Sequence, residues 1–325
     1  MMIGKNKAAL SLILGALFFW LMPAVVEAAC TVSIGTVSYP SVQSAVNGAG
    51  VGRTIKVDGT CNENVVFAEN RLNLVLDGQT TATLSGPSTS QATISVRGSG
   101  IVIKRFLSIT GGENGIQVLR GGTARIANNI IQGVGNNGVV INRNGSADVI
   151  NNAIQNNPDG SGIVVNDQGQ AFIGILSRDD VTASANVIGN NGNYGIVVEG
   201  SSDAVIVGNT IANNGKDGIL VHQVSHADIA DNTINGNLRH GINVGRNSGV
   251  DLGTSSPLPV ASPRLVDQPN NTTTNNTSNG IRCFMNSYVD GLLNLNPNAT
   301  AATNPLTGTA GQINISSNCA NDLDL

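Results

Sequence analysis

The chain is poor in aromatic side chains and in charge. Of its 325 residues only 3% are aromatic and 12% are charged, and the single tryptophan, Trp20, lies near the N-terminus. A long glycan cleft lined by aromatic rings is therefore not expected. The formal net charge of −4 and the lack of clustered Lys and Arg argue against nucleic acid as a partner, because its phosphates require such cations.

Long apolar runs are also scarce, with one exception at the N-terminus. Lys5 and Lys7 precede an apolar run over residues 8–21, and Val26-Glu27-Ala28 fits a small-residue cleavage site. The pattern predicts a signal peptide at residues 1–28. We expect a secreted or periplasmic protein that has no transmembrane segment after cleavage.

Only four cysteines are present, and all of them follow the predicted cleavage site. An even number in an exported chain indicates two disulfides, although the sequence permits three pairings. Their grouping near the two ends favours Cys30 with Cys61 and Cys283 with Cys319. A metal site built from the four thiolates is the alternative, and the absence of any C-x-x-C spacing argues against it.

What the chain has in abundance is an internal repeat of about 23 residues. A glycine is followed at once by a β-branched apolar residue and, two positions later, by another apolar residue. The glycines of this column are Gly115, Gly138, Gly162, Gly195, Gly218 and Gly241. Two further short apolar alternations follow in each repeat, so every repeat reads as three short strands separated by bends, wound as a coil.

An asparagine recurs at one of these bends. Its column contains Asn129, Asn152, Asn186, Asn209 and Asn232. Asparagine tolerates the left-handed backbone of a sharp bend, and its amide can bond to the same residue one strand spacing away, about 4.8 Å. We therefore predict a stacked asparagine ladder with a structural role.

The repeat resembles the right-handed parallel β-helix of the pectin-lyase-like superfamily, most clearly in "NTIANNGKDGILV" and "NTINGNLRHGINV". The resemblance implies an all-β fold: a single-stranded right-handed parallel β-helix (solenoid) over residues 29–253, with an irregular C-terminal cap. Val42, Ala45 and Val46 stand at helical spacing within 40–49. They predict the short helix that covers the N-terminal end of such a coil.

Two segments interrupt the period. The interval from Gly162 to Gly195 is 33 residues, so about ten residues over 174–183 should form a surface insertion. Residues 254–279, rich in Pro, Thr and Asn, are expected to form an irregular arm. Residues 280–325 are then the final rung and the C-terminal cap.

Catalytic residues of enzymes with this fold line one outer sheet, and the strand after the repeating glycine is our candidate for that sheet. Glu199 and His222 stand out there on adjacent rungs, where they could transfer protons or form a surface charge pair. Asp179 and Asp180 of the insertion are further candidates. An outward apolar column should be covered by the arm or by a partner: Val140, Val164, Val197 and Leu220.

The sequence contains none of the motifs by which relatives are recognised as polygalacturonases, calcium-dependent pectate lyases or alginate epimerases. Three hypotheses therefore remain, and the scarcity of aromatic residues and the missing motifs favour the first, which has no catalytic activity. The first is an exported structural or interaction module with a polysaccharide or a cell-envelope component as partner. The second is a carbohydrate-active enzyme, a lyase or hydrolase, with a non-standard site. The third is a periplasmic metal-handling protein that uses His222, His226 and His240; no cofactor is predicted.

Overall fold

The computed structural model describes residues 29–253, 264–267 and 271–290, together with the backbone of 291–292, 306–307, 313–315 and 320–324. The predicted signal peptide at 1–28 lies outside these residues, as does Cys319. The described chain forms three long sheets, which we call A, B and C, and the strands follow one another in the order B, A, C around the coil.

The strands of each sheet are as follows. Sheet A consists of Thr60–Asn62, Thr83–Gly86, Ser108–Gly111, Ile130–Gln132, Ala153–Gln155, Val187–Gly189, Thr210–Ala212, Thr233–Asn235, Thr272–Thr274 and Leu306–Thr307. Sheet B consists of Val37–Tyr39, Thr31–Ile34, Thr54–Asp58, Val75–Asp77, Ile101–Lys104, Thr123–Ala127, Ser146–Ile150, Gln170–Ile173, Asp203–Val207, His226–Ala230, Gly249–Asp251, Tyr288–Leu292 and Ala320–Asp324. Sheet C consists of Val65–Phe67, Ile94–Val96, Ile116–Leu119, Val139–Asn142, Ile163–Val165, Ile196–Val198, Ile219–Val221, Ile242–Val244, Ile281–Cys283 and Ile313–Ile315.

The predicted right-handed parallel β-helix is confirmed. Equivalent residues of successive repeats pair directly, as Ile196 does with Ile163 on one side and with Ile219 on the other. The residue after each repeating glycine points inward and is fully buried, and like residues stack along the axis. A single continuous core therefore runs through the coil, which is how a chain of this length stays packed without a globular centre.

The asparagine ladder is confirmed and is longer than predicted. Each member donates its backbone N–H and its Nδ2 to the Oδ1 of the next, and Asn232 passes the ladder on to Asn271. The bend between sheets A and C has a second ladder, of Asn157, Asn191, Asn214, Asn237 and Asn276. Serines form a third ladder between sheets C and B, in which each backbone N–H donates to the Oγ of the serine on the next rung: Ser202, Ser225, Ser248 and Ser287. Buried backbone N–H groups at all three bends thus have acceptors.

The N-terminal end is closed by the predicted helix, Val42–Gly48, which buries the three apolar residues that indicated it. Ser41 caps the helix through a capping box with Ser44. The predicted Cys30–Cys61 disulfide is present and ties the first strand to the first rung. Cys283 is also disulfide-bonded, but its expected partner, Cys319, lies outside the described residues.

The irregular arm is shorter than expected. Strand Thr272–Thr274 already belongs to sheet A, and Asn271 and Asn276 continue the two ladders, so the next rung begins about nine residues before 280. Strands at 306–307, 313–315 and 320–324 extend the coil beyond that rung, in a region where an irregular cap was expected. Of the arm itself, residues 264–267 are described, and 254–263 and 268–270 are not.

Candidate functional site

The outer face of sheet C has an apolar strip flanked by polar side chains, which we call the trough. Its floor is the predicted apolar column, in which successive residues are direct cross-strand neighbours: Val140, Val164, Val197 and Leu220. Each is between 5% and 8% exposed. The described part of the arm, 264–267, packs on sheet B instead. The side chain of Tyr194 is what packs against this floor.

The Glu199–His222 pair lies along one edge of the floor. His222 Nε2 is 2.5 Å from Glu199 Oε2, and the two side chains are 15% and 27% exposed respectively. Glu199 stands two residues after Val197, and His222 stands two residues after Leu220. Both side chains therefore point to the same outer face as the floor. The pair is thus half-buried yet accessible, which suits a group that exchanges protons with a bound molecule.

The opposite edge is formed by the residues that precede the repeating glycines. Three successive rungs place Tyr194, Asp217 and His240 in this column. Asp217 is fully buried and accepts hydrogen bonds from the His240 backbone N–H at 3.0 Å and from Asn243 Nδ2 at 2.9 Å. The Nε of Arg239 is 3.6 Å from the same carboxylate. A buried carboxylate with these partners is a fixed part of the site.

Burial and charge shift the proton affinities along this edge. Burial, followed by the charge of Asp217, raises the pKa of Tyr194, and Glu199 adds to the effect, so these groups share one electrostatic environment. Burial lowers the pKa of His240. His240 Nδ1 accepts the Asn279 backbone N–H at 3.1 Å, so a neutral His240 carries its proton on Nε2 and cannot act as a base through Nδ1.

Cations gather at this end of the trough. Lys216 Nζ lies 4.9 Å from the centre of the Tyr194 ring, and Arg282, the cross-strand neighbour of Asn243, stacks on Phe284 at 4.3 Å. With Arg239, which lies 3.6 Å from the Asp217 carboxylate, three cations stand at this end of the trough, where Glu199 and Asp217 are the carboxylates described above. In a chain whose formal net charge is −4, this end carries a local excess of positive charge, which favours an anionic ligand.

Three amide oxygens of the trough accept no hydrogen bond from the described residues. They are the Oδ1 atoms of Asn142, Asn166 and Asn243, and all three are shielded from solvent. Asn142 and Asn166 precede Glu199 in the same outward column, and Asn243 continues the floor column. Buried acceptors are normally satisfied, so these atoms are candidates for hydroxyl donors of a ligand.

The structure separates the four catalytic candidates. Glu199 and His222 meet on sheet C, whereas Asp179 and Asp180 belong to the insertion, which folds over sheet B. Asp180 holds the insertion together by accepting the backbone N–H groups of Leu176 and Ser177. Its carbonyl accepts the N–H of Leu265, which fixes the arm there. Asp179 faces Arg264 at 3.8 Å. The insertion therefore does not border the Glu199–His222 pair.

Tyr194, Asp217 and Arg239 were not predicted from the sequence, and His240 was considered there only as a metal ligand. The available signal was the column before the repeating glycine, which begins with Asn114, Asn137 and Ser161 and then changes to Tyr, Asp and His. A polar bend column that changes residue type over three consecutive rungs departs from a pure ladder. That departure could have marked the site.

A second cluster of titratable groups lies on the outer face of sheet B, around His226. Its Nδ1 is 3.5 Å from Asp203 Oδ2 and its Nε2 is 3.6 Å from Asp251 Oδ2. Hydrogen bonding to Asp203 and then to Asp251 raises the pKa of His226 to about 10. Burial raises the pKa of the neighbouring Asp228, and Arg178 of the insertion forms an ion pair with that carboxylate.

Comparison with known proteins supports the fold. Residues 114–256 match the family described as right handed beta helix region. A mutant of the periplasmic alginate epimerase AlgG superposes with a TM-score of 0.53 at 12% identity, over 99% of each chain. The A-module of a mannuronan C-5 epimerase from Azotobacter vinelandii superposes with a TM-score of 0.50 at 13% identity, over 87% of this chain and 90% of that one. No curated protein matches the sequence significantly.

At 12% and 13% identity, the likeness to these two solved structures supports the fold alone.

Within the described ranges, no helix has the length and apolar composition that a membrane span requires.

Proposed function

We propose that the protein is an exported, polysaccharide-active β-helix protein that holds an acidic glycan in the trough and transfers protons to and from it. The observation that carries this proposal is the convergence on one outer face of a hydrogen-bonded acid–base pair, three cations and an apolar floor. Each of these features has other uses alone. Together they match the needs of a sugar chain that carries carboxylates.

The binding part of the proposal uses the chemistry of the trough walls. The apolar C–H faces of sugar rings would lie on Val164 and Val197, and sugar hydroxyls would donate to Asn142 and Asn166. A carboxylate of the chain would meet Arg239 or Arg282. Floor residues recur at the strand spacing of about 4.8 Å, so a polymer laid along the coil axis meets the same contacts repeatedly.

The chemical part assigns proton transfer to Glu199 and His222. A base that removes the proton next to a sugar carboxylate leaves an electron pair delocalised onto that carboxylate, where the guanidinium groups of Arg239 and Arg282 stabilise it. Return of a proton from water to the opposite face inverts the carbon, and the base then releases its proton to solvent. Departure of the neighbouring glycosidic oxygen with the proton held by the pair instead cleaves the chain. The likeness to two alginate epimerase structures favours the first outcome for this chain.

Export is supported by the cysteines. A disulfide between Cys30 and Cys61 persists in an oxidising compartment, as the predicted signal peptide at 1–28 also implies. We therefore place the protein in the periplasm or outside the cell, with a polysaccharide or another envelope component as its partner.

The second candidate function is a glycan-contacting module without catalysis. It is favoured by the direct 2.5 Å contact between His222 and Glu199, because a base whose acceptor is already occupied must first be released by the substrate. Soft-metal handling by one site of all three histidines gains no support, because His222 lies on sheet C and His226 on sheet B. His222 is engaged by Glu199, and His240 by the Asn279 backbone.

The experiment that separates these functions is incubation with polymannuronate and polygalacturonate in heavy water. Proton NMR would report deuterium entering the sugar ring, and ultraviolet absorbance would report unsaturated products. Loss of turnover in Glu199→Gln and His222→Gln, with polysaccharide binding retained, is the expected result. The matched control is Asp179→Asn, which changes an exposed carboxylate of the insertion that folds over sheet B.

Wild-type protein that binds the polymer without exchanging or cleaving it would establish the binding module in place of the enzyme. Failure to bind either polymer, or activity that survives Glu199→Gln, would overturn the proposal.

A further inference from the structure

The outer face of sheet B brings together one histidine and three carboxylates from three neighbouring strands. His226 and Asp228 stand two residues apart on strand His226–Ala230 and so share its outer face. Asp251 is the direct cross-strand partner of Asp228, and Asp203 is that of His226 on the other side. The register of the sheet, rather than a flexible loop, therefore fixes these four side chains.

Three of these residues have donor atoms close enough for one ion. One ligand atom from each of His226, Asp228 and Asp251 lies within 4.8 Å of the other two. The 3.6 Å separation of His226 Nε2 from Asp251 Oδ2 suits two ligands that share a metal. On the opposite side of the ring, Asp203 faces Nδ1, which is the position of the carboxylate that orients a metal-binding imidazole.

Asp228 gives an independent indication of a ligand. The residue is 7% exposed, and its Oδ2 accepts no hydrogen bond within the described residues. Its ion-pair partner there is Arg178, which reaches in from the insertion and is itself about half exposed. Arg178 contacts that same Oδ2, so a cation already occupies this place in the structure, and a bound ion would replace it.

The local charge also favours a divalent ion. Asp203, Asp228 and Asp251 are joined by Asp290, the cross-strand partner of Asp251, so carboxylates occupy the same outward column on three successive rungs. Like charges directly opposite one another in a sheet repel. In this structure Arg178 and the imidazolium of His226 offset two of the four negative charges, and a dication that takes the place of Arg178 and the imidazolium proton would offset the same two.

We propose that His226 Nε2, Asp228 and Asp251 form a binding site for a divalent transition metal ion, with Asp203 as the residue that orients the imidazole. One imidazole and two carboxylates form a ligand set for Zn²⁺, and Ca²⁺ and Mg²⁺ prefer all-oxygen sites. The ion would join two adjacent rungs of sheet B and replace the guanidinium of Arg178. The site lies on a different sheet from the trough and does not depend on the function proposed for it.

The test is competition for Zn²⁺ between tag-free full-length protein and a chromophoric chelator. We expect one ion per chain and much weaker binding of Ca²⁺ and Mg²⁺. His226→Gln and Asp251→Asn should each weaken Zn²⁺ binding at least about tenfold, and Asp203→Asn should weaken it about 10- to 100-fold. Arg178→Gln should strengthen it, because a competing cation is removed.

Two control variants keep the proposal falsifiable. Asp148→Asn changes a carboxylate of the same outward column that lies outside the cluster, and His222→Gln changes a histidine on sheet C; both should leave Zn²⁺ binding unchanged. Asp251 is partly exposed, so Asp251→Asn is expected to fold even if His226→Gln does not. Absence of stoichiometric Zn²⁺ binding, unchanged affinity in Asp251→Asn, or loss of affinity in His222→Gln would each overturn the proposal.

Discussion

Replacement of Asn209 by alanine tests how much of the fold depends on the ladders. Asn209 is 1% exposed, and its Oδ1 accepts both the backbone N–H of Asn186 at 3.1 Å and the Asn186 Nδ2 at 2.8 Å. Its Nδ2 donates to Ile173 O at 2.9 Å, to Val207 O at 3.0 Å and to Asn232 Oδ1 at 3.1 Å. Alanine keeps none of these side-chain bonds.

The magnitude follows from which groups are left behind. A buried N–H that loses its acceptor, here that of Asn186, costs about 1–3 kcal/mol, and each further lost hydrogen bond costs about 1 kcal/mol net. Allowing for water that enters the vacated space, we expect Asn209→Ala to lower the free energy of unfolding by about 3–5 kcal/mol.

The assay combines urea unfolding, followed by far-ultraviolet circular dichroism, with amide hydrogen exchange at Asn186. The control is Asn62→Ala, an exposed asparagine on a sheet A strand, which should change stability by no more than about 0.5 kcal/mol. If Asn209→Ala unfolds at the wild-type urea concentration and the Asn186 amide stays protected from exchange, the structural account of the ladder is wrong.

Three further predictions concern the cap, the sheet B cluster and the glycine column. Cys61→Ala should cost about 3–4 kcal/mol, the loop entropy expected for a disulfide that spans 31 residues, as measured by denaturant unfolding. The pKa of His226 is raised from 6.5 to about 10 in the folded protein, so protonated His226 stabilises the fold fully below pH 6.5 and this contribution is lost as pH rises towards 10. Thermal unfolding of chelator-treated protein should show this decline in stability. His226→Gln should make the pH dependence flatter. Gly218→Ala would place a Cβ 2.4 Å from Ile234 Cγ2 and 2.8 Å from the Gly241 carbonyl oxygen. It should therefore lower the free energy of unfolding by at least about 2 kcal/mol, measured by denaturant unfolding. The control is Gly50→Ala, whose Cβ meets nothing closer than 4.0 Å and which should not lower it in this way.

The regular part of the fold could be predicted because the same physical requirement recurs in every rung. A residue that must be apolar and β-branched at 116 must be so again at 139 and 163, and the column becomes visible in a single sequence. The first asparagine ladder was found in the same way. The second, from Asn157 to Asn276, stands five residues after each corresponding member of the first, so the same column reading could have found it, and it was missed.

The site was only partly predictable, because it depends on the direction in which irregular segments fold. The contact between Glu199 and His222 follows from the repeat register alone. The insertion could not be placed without knowing that Arg178 pairs with Asp228 and that Asp180 binds the backbone of Leu265, both on sheet B. The Tyr194, Asp217 and His240 edge lies in bends, where sequence spacing does not determine which way a side chain points.

The asparagine ladders have a direction. In each, N–H and Nδ2 donors point to the Oδ1 of the following rung, so every rung presents acceptors to its predecessor and donors to its successor. Any interior rung can therefore follow any other, provided that the interval is a whole repeat. The length of the coil can then change by loss or duplication of 23-residue units, for example 209–231, without leaving an unmatched amide at the junction. Over evolutionary time such a chain can vary the extent of its binding face in steps of one strand spacing while each bend keeps the same chemistry.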